Sequence, residues 1–245
     1  MISFADKTVV ITGAAGGIAR ETARLMYGAG ASLVLADLSE AALMATANDI
    51  GAAPARTLCV PVNVAEPADC ERLFEQASRR FGGVDHVVHA AGVFPKVLVQ
   101  DMSLAQWQDV MRINADGTFL VCKASIPHLR ENSSIVNIAS ISGHRGSHSH
   151  AHYSASKGAV ISFTRSLSME LAPKTRVNCV SPGIIDTGMA VELIEVRGPV
   201  YMAQTPMGRH GQPAEVAGAI AFLCSSLASF ITGETLQVNG GLNRS

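Results

Sequence analysis

Seven short apolar runs rich in β-branched residues recur along the chain with helix-length segments between them. They are KTVVIT (7–12), SLVLAD (32–37), TLCVPV (57–62), DHVVHA (85–90), SIVNIA (134–139), RVNCVS (176–181) and TLQVN (235–239). Each is too continuously hydrophobic for a sheet with one wet face. The segments between them, among them GIARETARLMYGAG, ADCERLFEQASRRFGG and PAEVAGAIAFLCSSLA, have apolar residues at helical spacing. Strand and helix alternate almost throughout, which calls for right-handed βαβ crossovers. The expected fold is α/β: three layers, a single doubly wound seven-stranded parallel sheet with helices on both faces. Ligands of such sheets bind beyond the carboxyl ends of the strands, so chemistry is sought there.

One stretch departs from the alternation. Residues 184–212, rich in Met, Pro, Gly and Glu, read as a helical excursion after the sixth strand, of the kind that covers a substrate site. No linker or repeat divides the 245 residues, so one domain over 1–245 is expected. A formal net charge of −1 leaves no electrostatic footprint for nucleic acid or an anionic membrane, and points to a small-molecule partner. Asp6 and Lys7 fall where a secretory signal needs an apolar stretch, and AGAIAFLCSSLASFITG is too short and too interrupted to cross a bilayer. A soluble cytoplasmic protein follows as the expectation. Cys59, Cys70, Cys122, Cys179 and Cys224 form no C-x-x-C pair, and three of them sit in apolar runs. They read as buried, reduced thiols rather than disulfides or metal ligands.

The first strand runs into TGAAGGIA (12–19), which places Gly13, Gly16 and Gly17 at a strand-to-helix turn. Such a turn lets backbone N–H groups approach a diphosphate at the positive end of a helix. Asp37 ends the second strand, roughly 20 residues on, where a carboxylate accepts from the adenosine ribose hydroxyls and repels a 2′-phosphate. Gly16 and Leu38 offer that phosphate no cation. The cofactor expected is therefore NAD rather than NADP; the alternative for Asp37 is a helix N-cap, a role Ser39 fills better. In HYSASKGAV (152–160), Tyr153 and Lys157 stand four residues apart, on one face of a helix. An ammonium beside a phenol favours the phenolate and lowers its pKa, so the pair suits acid/base work.

Together these features resemble the short-chain dehydrogenase/reductase (SDR) family over almost the whole chain. Further matching stretches are INADGTF with Asn114, NIASISG with Ser140, YSASK, VNCVSPGIIDT (177–187) and ITGETLQVNGG (231–241). The resemblance implies a Rossmann-type fold and an enzyme acting on CH–OH groups, with Asn114, Ser140, Tyr153 and Lys157 as catalytic residues. Tyr153 would exchange a proton with the substrate oxygen, Ser140 would donate a hydrogen bond to it, and Lys157 would lower the tyrosine pKa and bond the nicotinamide ribose. Asn114 would hold a water linking Lys157 to solvent. By the same resemblance, Ile18, Asn63, Val64, Ala90, Gly92, Pro182, Gly183, Ile185 and Thr187 would join the glycines and Asp37 around the cofactor. Two departures stand out: Asn63 replaces an aspartate, and His89 replaces an asparagine that braces the sheet.

Four histidines, His144, His148, His150 and His152, precede Tyr153. No metal is expected; lining the substrate mouth and conferring pH dependence is the better use. Phe94, Ser142, His144, His150 and Ile184 are the expected substrate-lining residues, with Val93, Gly183 and the 188–207 segment beside them. The expected activity is NAD(H)-dependent interconversion of a secondary alcohol and a ketone, a sugar or polyol included. The alternatives are a 3-oxoacyl-[acyl-carrier-protein] reductase and a non-catalytic NAD-binding regulator, the last disfavoured because Ser140, Tyr153 and Lys157 are all present. Helices expected over 104–128 and 152–171 are apolar around much of their circumference and seek further burial, and the family's usual pairing of them implies a homotetramer.

Overall fold

The computed structural model describes residues 2–244; Met1 and Ser245, the ends of the expected domain, lie outside the described residues. Seven strands form one parallel sheet: β1 (Thr8–Thr12), β2 (Ser32–Asp37), β3 (Thr57–Pro61), β4 (Val84–His89), β5 (Leu129–Ile138), β6 (Thr175–Pro182) and β7 (Thr235–Val238). Their order is β3-β2-β1-β4-β5-β6-β7, all neighbours parallel. The chain winds outward from β1 in one direction, then returns to lay β4 on its other side. The switch point therefore lies between the carboxyl ends of β1 and β4.

The connecting helices are α1 (Gly17–Gly28), α2 (Glu40–Asp49), α3 (Pro67–Phe81), α4 (Leu104–Met111), α5 (Gly117–Ser125), α6 (Ser142–Arg145), α7 (Ala151–Leu171), α8 (Val191–Gln204) and α9 (Pro213–Cys224). Strand periodicity divides the core in two. Val9, Ile11, Leu33 and Leu35 point to one face and meet Met26 of α1, Leu43 of α2 and Ile220 of α9. Val10, Val34, Val87 and Ile135 point to the other and meet Leu73 and Phe74 of α3, Val121 of α5 and Leu167 of α7. Burying each such side chain contributes about 1.5–3 kcal/mol, so the sheet is secured from both sides.

Two boundaries and one burial differ from the sequence reading for identifiable reasons. β5 begins at Leu129 rather than 134, because Arg130 anchors the start of the strand on the Asp85 carboxylate at 2.7 Å and the Phe81 carbonyl at 2.6 Å. The helix expected over 104–128 is interrupted by a π-turn at Arg112–Asp116 between α4 and α5. Cys59, expected to be buried, is only half-buried because β3 is an edge strand. Among the described residues no helix is long and apolar enough to cross a membrane.

Candidate active site

At the carboxyl end of β1 the chain turns at Gly13, whose φ of +66° only glycine adopts readily. A Cβ there would also lie 2.6 Å from the Ala91 backbone nitrogen, so the turn is pressed against the segment after β4. Helix α1 then starts at an N-cap, Gly16, with no side-chain cap and no acid in its first turn. Its leading N–H groups are left for an anion. Asp37 accepts from the Ala15 N–H at 3.1 Å and the Leu38 N–H at 2.8 Å, which ties β2 to the glycine turn. Ser39, as expected, caps α2 by accepting from the Ala42 N–H.

His89 ends β4, buried, with Nδ1 2.8 Å from Thr12 Oγ1, so the imidazole braces β4 to β1. Its other nitrogen has no partner, and burial pushes its pKa down to about 3. Beyond β5 stands Ser140, whose Oγ accepts from the Ser142 N–H at 3.1 Å and so starts α6. Gly143 in that short helix lies against α7: a Cβ on it would be 2.7 Å from the Lys157 carbonyl carbon. This backbone contact sets Ser140 beside the first turns of α7, which carry Tyr153 and Lys157.

Tyr153 and Lys157 are both buried, and Lys157 Nζ lies 5.7 Å from the Tyr153 ring centroid. Nζ donates to the Ile138 carbonyl at 2.7 Å. Burial pushes the phenol up to about 12 while the nearby Ser140 hydroxyl pulls it down, and burial pushes the ammonium down to about 8. Desolvation thus outweighs the lowering of the tyrosine pKa expected from Lys157. Burial therefore favours the neutral phenol. Asn114, in the π-turn, is fully buried; its Oδ1 accepts from the Val93 N–H at 2.9 Å, and its Nδ2 donates to the Val93 carbonyl and to Ser156 Oγ. Its side chain thus fastens the segment after β4 to α7.

These elements enclose a cavity of about 630 Å³. It brings together Gly13, Gly16, Gly17, Ile18, Ala90 and Gly92 from the switch point. Ser140, Ser142, Tyr153 and Lys157 also line it, as do Phe94, Pro182, Gly183, Ile184, Ile185 and Thr187 of the predicted set. Asp37, Asn63, Val64, Asn114, His144 and His150 are not on its wall. Asn63 Oδ1 accepts from the Ala65 N–H, and Val64 is buried in the core that also holds Val62 and Cys70. His150 stacks on Phe94 at 4.0 Å, and Phe94 in turn meets the Tyr153 ring edge-on at 4.6 Å. His144 Nε2 lies 3.0 Å from Gln237 Nε2, while His152 is buried and accepts from the Tyr153 N–H. Of the four histidines only His148 lines the cavity. Among the described residues no three His, Cys, Asp or Glu side chains converge as metal ligands would.

Sequence reasoning missed Arg20 and Arg145 on the cavity wall; it gave the 188–207 segment as wall without singling out Arg197, Tyr201 and Gln204, and of the four histidines expected at the substrate mouth His148 lines it. The α8 residues carried a signal: Leu193, Arg197, Tyr201 and Gln204 follow one another at steps of four, four and three, a single helical stripe. The uncapped start of α1, the bare glycine turn and the adjoining acid/base pair fit a nicotinamide dinucleotide laid across the switch point.

A parallel doubly wound sheet with a serine, a tyrosine and a lysine gathered at its switch point defines a nucleotide-dependent oxidoreductase. The sequence profile of the family described as Enoyl-(Acyl carrier protein) reductase matches residues 13–243. A 3-oxoacyl-[acyl-carrier-protein] reductase FabG of Aquifex aeolicus is 37% identical, over 98% of this chain and 99% of its own. A cis-4-hydroxycyclohexanecarboxylate dehydrogenase of Sinomonas cyclohexanicum is 38% identical, over 98% of this chain and 97% of its own. Among solved structures, a short-chain dehydrogenase/reductase titled glucose/ribitol dehydrogenase from Brucella melitensis superposes with a TM-score of 0.97. It is 48% identical, over 100% of this chain and 99% of its own. The chain belongs to the short-chain dehydrogenase/reductase family, whose members are oxidoreductases acting on CH–OH groups and binding a nicotinamide cofactor.

Proposed function

We propose that this protein is an NAD(H)-dependent dehydrogenase interconverting a secondary alcohol and a ketone, working as a cytoplasmic homotetramer. The observation that carries this reading is the convergence of Ser140, Tyr153 and Lys157 on the cavity whose other end is the glycine turn. When bound, the nicotinamide supplies or takes up the hydride. Tyr153, which burial favours in its neutral form, donates its proton to the carbonyl oxygen in reduction; in oxidation its phenolate takes the proton from the alcohol. Ser140 donates to the same oxygen as negative charge develops on it. Lys157, held by the Ile138 carbonyl, keeps a cation against the phenol ring. Asn114 holds this arrangement in register through Val93 and Ser156.

NAD over NADP is supported by Asp37 beside the glycine turn and by the exposed Leu38, which offers a 2′-phosphate no cation. Five free cysteines suit a reducing compartment. The second reading, reduction of 3-oxoacyl groups on acyl carrier protein, draws on relatives such as the Aquifex aeolicus enzyme. An acidic carrier needs a free basic patch. Yet Arg130 is committed to Asp85, and Arg176 donates to the carbonyls of Leu223, Cys224 and Ser225. The hydroxy-acid named for the Sinomonas cyclohexanicum relative keeps small secondary alcohols in front.

The test is a panel of secondary alcohols and ketones with NAD(H) and NADP(H), followed at the nicotinamide absorbance. Turnover with NAD, reduced about 100-fold or more in Tyr153→Phe, is the expected outcome. A Tyr153→Phe enzyme at near wild-type rate refutes the assignment, and NAD binding with no turnover across the panel points to the regulator.

A further inference from the structure

The cavity wall has a charge imbalance that the alcohol/ketone chemistry leaves unused. Arg20, Arg145, Lys157 and Arg197 line it, with His148, and among the described residues no aspartate or glutamate does. Two of the cations have evident work. Lys157 belongs to the acid/base pair. Arg20 sits in the first turns of α1, beside the turn that would take the dinucleotide diphosphate, and donates to the Ala15 carbonyl at 3.0 Å.

Arg145 and Arg197 come from elsewhere. Arg145 closes α6, five residues past Ser140, on the wall that carries the reacting oxygen's partners. Arg197 comes from α8, the segment after β6 that covers the cavity, with Tyr201 one turn on; its guanidinium lies 5.4 Å from the Tyr201 ring centroid. Among the described residues neither has a carboxylate within 4.0 Å. Acids that could have served are engaged away from the cavity, Glu192 with Lys96 at 3.2 Å and Glu215 with Arg209 at 2.6 Å. Among the described residues Arg145 makes one side-chain bond, to the Leu242 carbonyl at 3.3 Å, which orients it and leaves most of its five donors without a partner there. A neutral polyol gives such a pair nothing to hold; an oxyanion takes both forks in charge-assisted hydrogen bonds.

We infer that the substrate is an acidic hydroxy or keto compound, its carboxylate or phosphate held between Arg145 and Arg197 while its alcohol carbon faces Tyr153. This deepens the alcohol/ketone reading and rests on it. It places α8 as the element that reads the substrate's far end, with Arg197 arriving on the cover and Arg145 waiting on the fixed wall.

The test uses the full chain with NAD present and three unreactive probes of similar size: pentanoate, butyl phosphate and pentanamide. None has a hydroxyl or ketone, so calorimetric affinity reports anion recognition apart from turnover. An anionic probe is expected to bind about tenfold or more tightly than the amide. Arg145→Met and Arg197→Met each bring the anion to within about threefold of the amide, Arg197→Lys retains part of the preference, and NAD affinity is unchanged. The tighter of pentanoate and butyl phosphate identifies the group. The inference is overturned if pentanamide binds as well as both anions, if no anion binds, or if the methionine variants weaken NAD as much as the anion. The last result assigns the pair to the dinucleotide diphosphate. Failure of hydroxy compounds to turn over would defeat the alcohol/ketone reading alone, since the probe affinities stand without it.

Discussion

Asp37 is held by two backbone N–H groups, which fix the carboxylate that the proposed NAD preference rests on. Replacing it should act twice, loosening the glycine turn and removing the charge that repels a 2′-phosphate. Asp37→Ala with Leu38→Arg is therefore expected to lower kcat/KM for NAD and raise the NADP-to-NAD ratio by about tenfold or more; an unchanged ratio in steady-state assays counts against the ribose assignment. The buried histidines of β4 make a different prediction. Burial pushes His86 down to about 4 and His89 to about 3, each with one nitrogen on a hydroxyl of the neighbouring strand. Below pH 6.5 the unfolded chain takes up protons there that the folded chain refuses. Stability is thus full above that pH and lost as pH falls toward 4. His89→Asn should flatten the fall in Tm across that window while keeping a bond to Thr12; an identical pH slope refutes it.

At the scale of elements, the site depends on two joints. Gly143 presses α6 onto the α7 backbone, and a Cβ there meets only main-chain atoms, which cannot yield as a side chain can. Gly143→Ala is expected to separate the helices, move Ser140 from Tyr153, and cost about 100-fold in kcat, since small displacements of reacting groups carry losses of that order. The π-turn is the second joint. It offers Asn114 to Val93 and Ser156, and Asn114→Ala, which orphans the buried Ser156 hydroxyl and the part-buried Val93 backbone, should destabilise the fold by about 2 kcal/mol or more in denaturant melts. Periodicity located the strands and the helix carrying Tyr153 and Lys157, because side-chain pattern and backbone period coincide there. It could not locate the π-turn, whose residues RINAD keep an ordinary helical appearance. Nor could it find the early start of β5, which hangs on an ion pair between Arg130 and Asp85, 45 residues apart. Tyr153, Lys157 and the glycine turn were legible because their chemistry is local in sequence, whereas Ser140 was legible only through the family resemblance. Arg145 reaches the cavity only through the fold.

For the whole molecule, the proposed tetramer can be argued from where apolar surface is left. On one flank Leu104 and Trp107 of α4 and Phe119 of α5 are exposed, and Phe119 packs edge-on against Phe163 of α7. Near β7, the edge strand at the other end of the sheet, Leu227 and Phe230 are exposed, Phe230 completely. Two separate self-complementary patches on one chain build a tetramer of dihedral symmetry, and removing either leaves a dimer held by the other. Phe119→Asp and Phe230→Asp are each expected to give dimers by light scattering, and the double variant monomers; a monomeric wild-type chain would refute the arrangement. The two dimers should differ in catalysis, because the first patch rests on the helix that bears Tyr153 and Lys157. Without that support α7 is held only by its own chain, through the sheet, α4, α6 and the π-turn. Phe119→Asp should therefore lose more kcat than Phe230→Asp at equal Tm, and the reverse order would place the catalytic helix's support within the single chain.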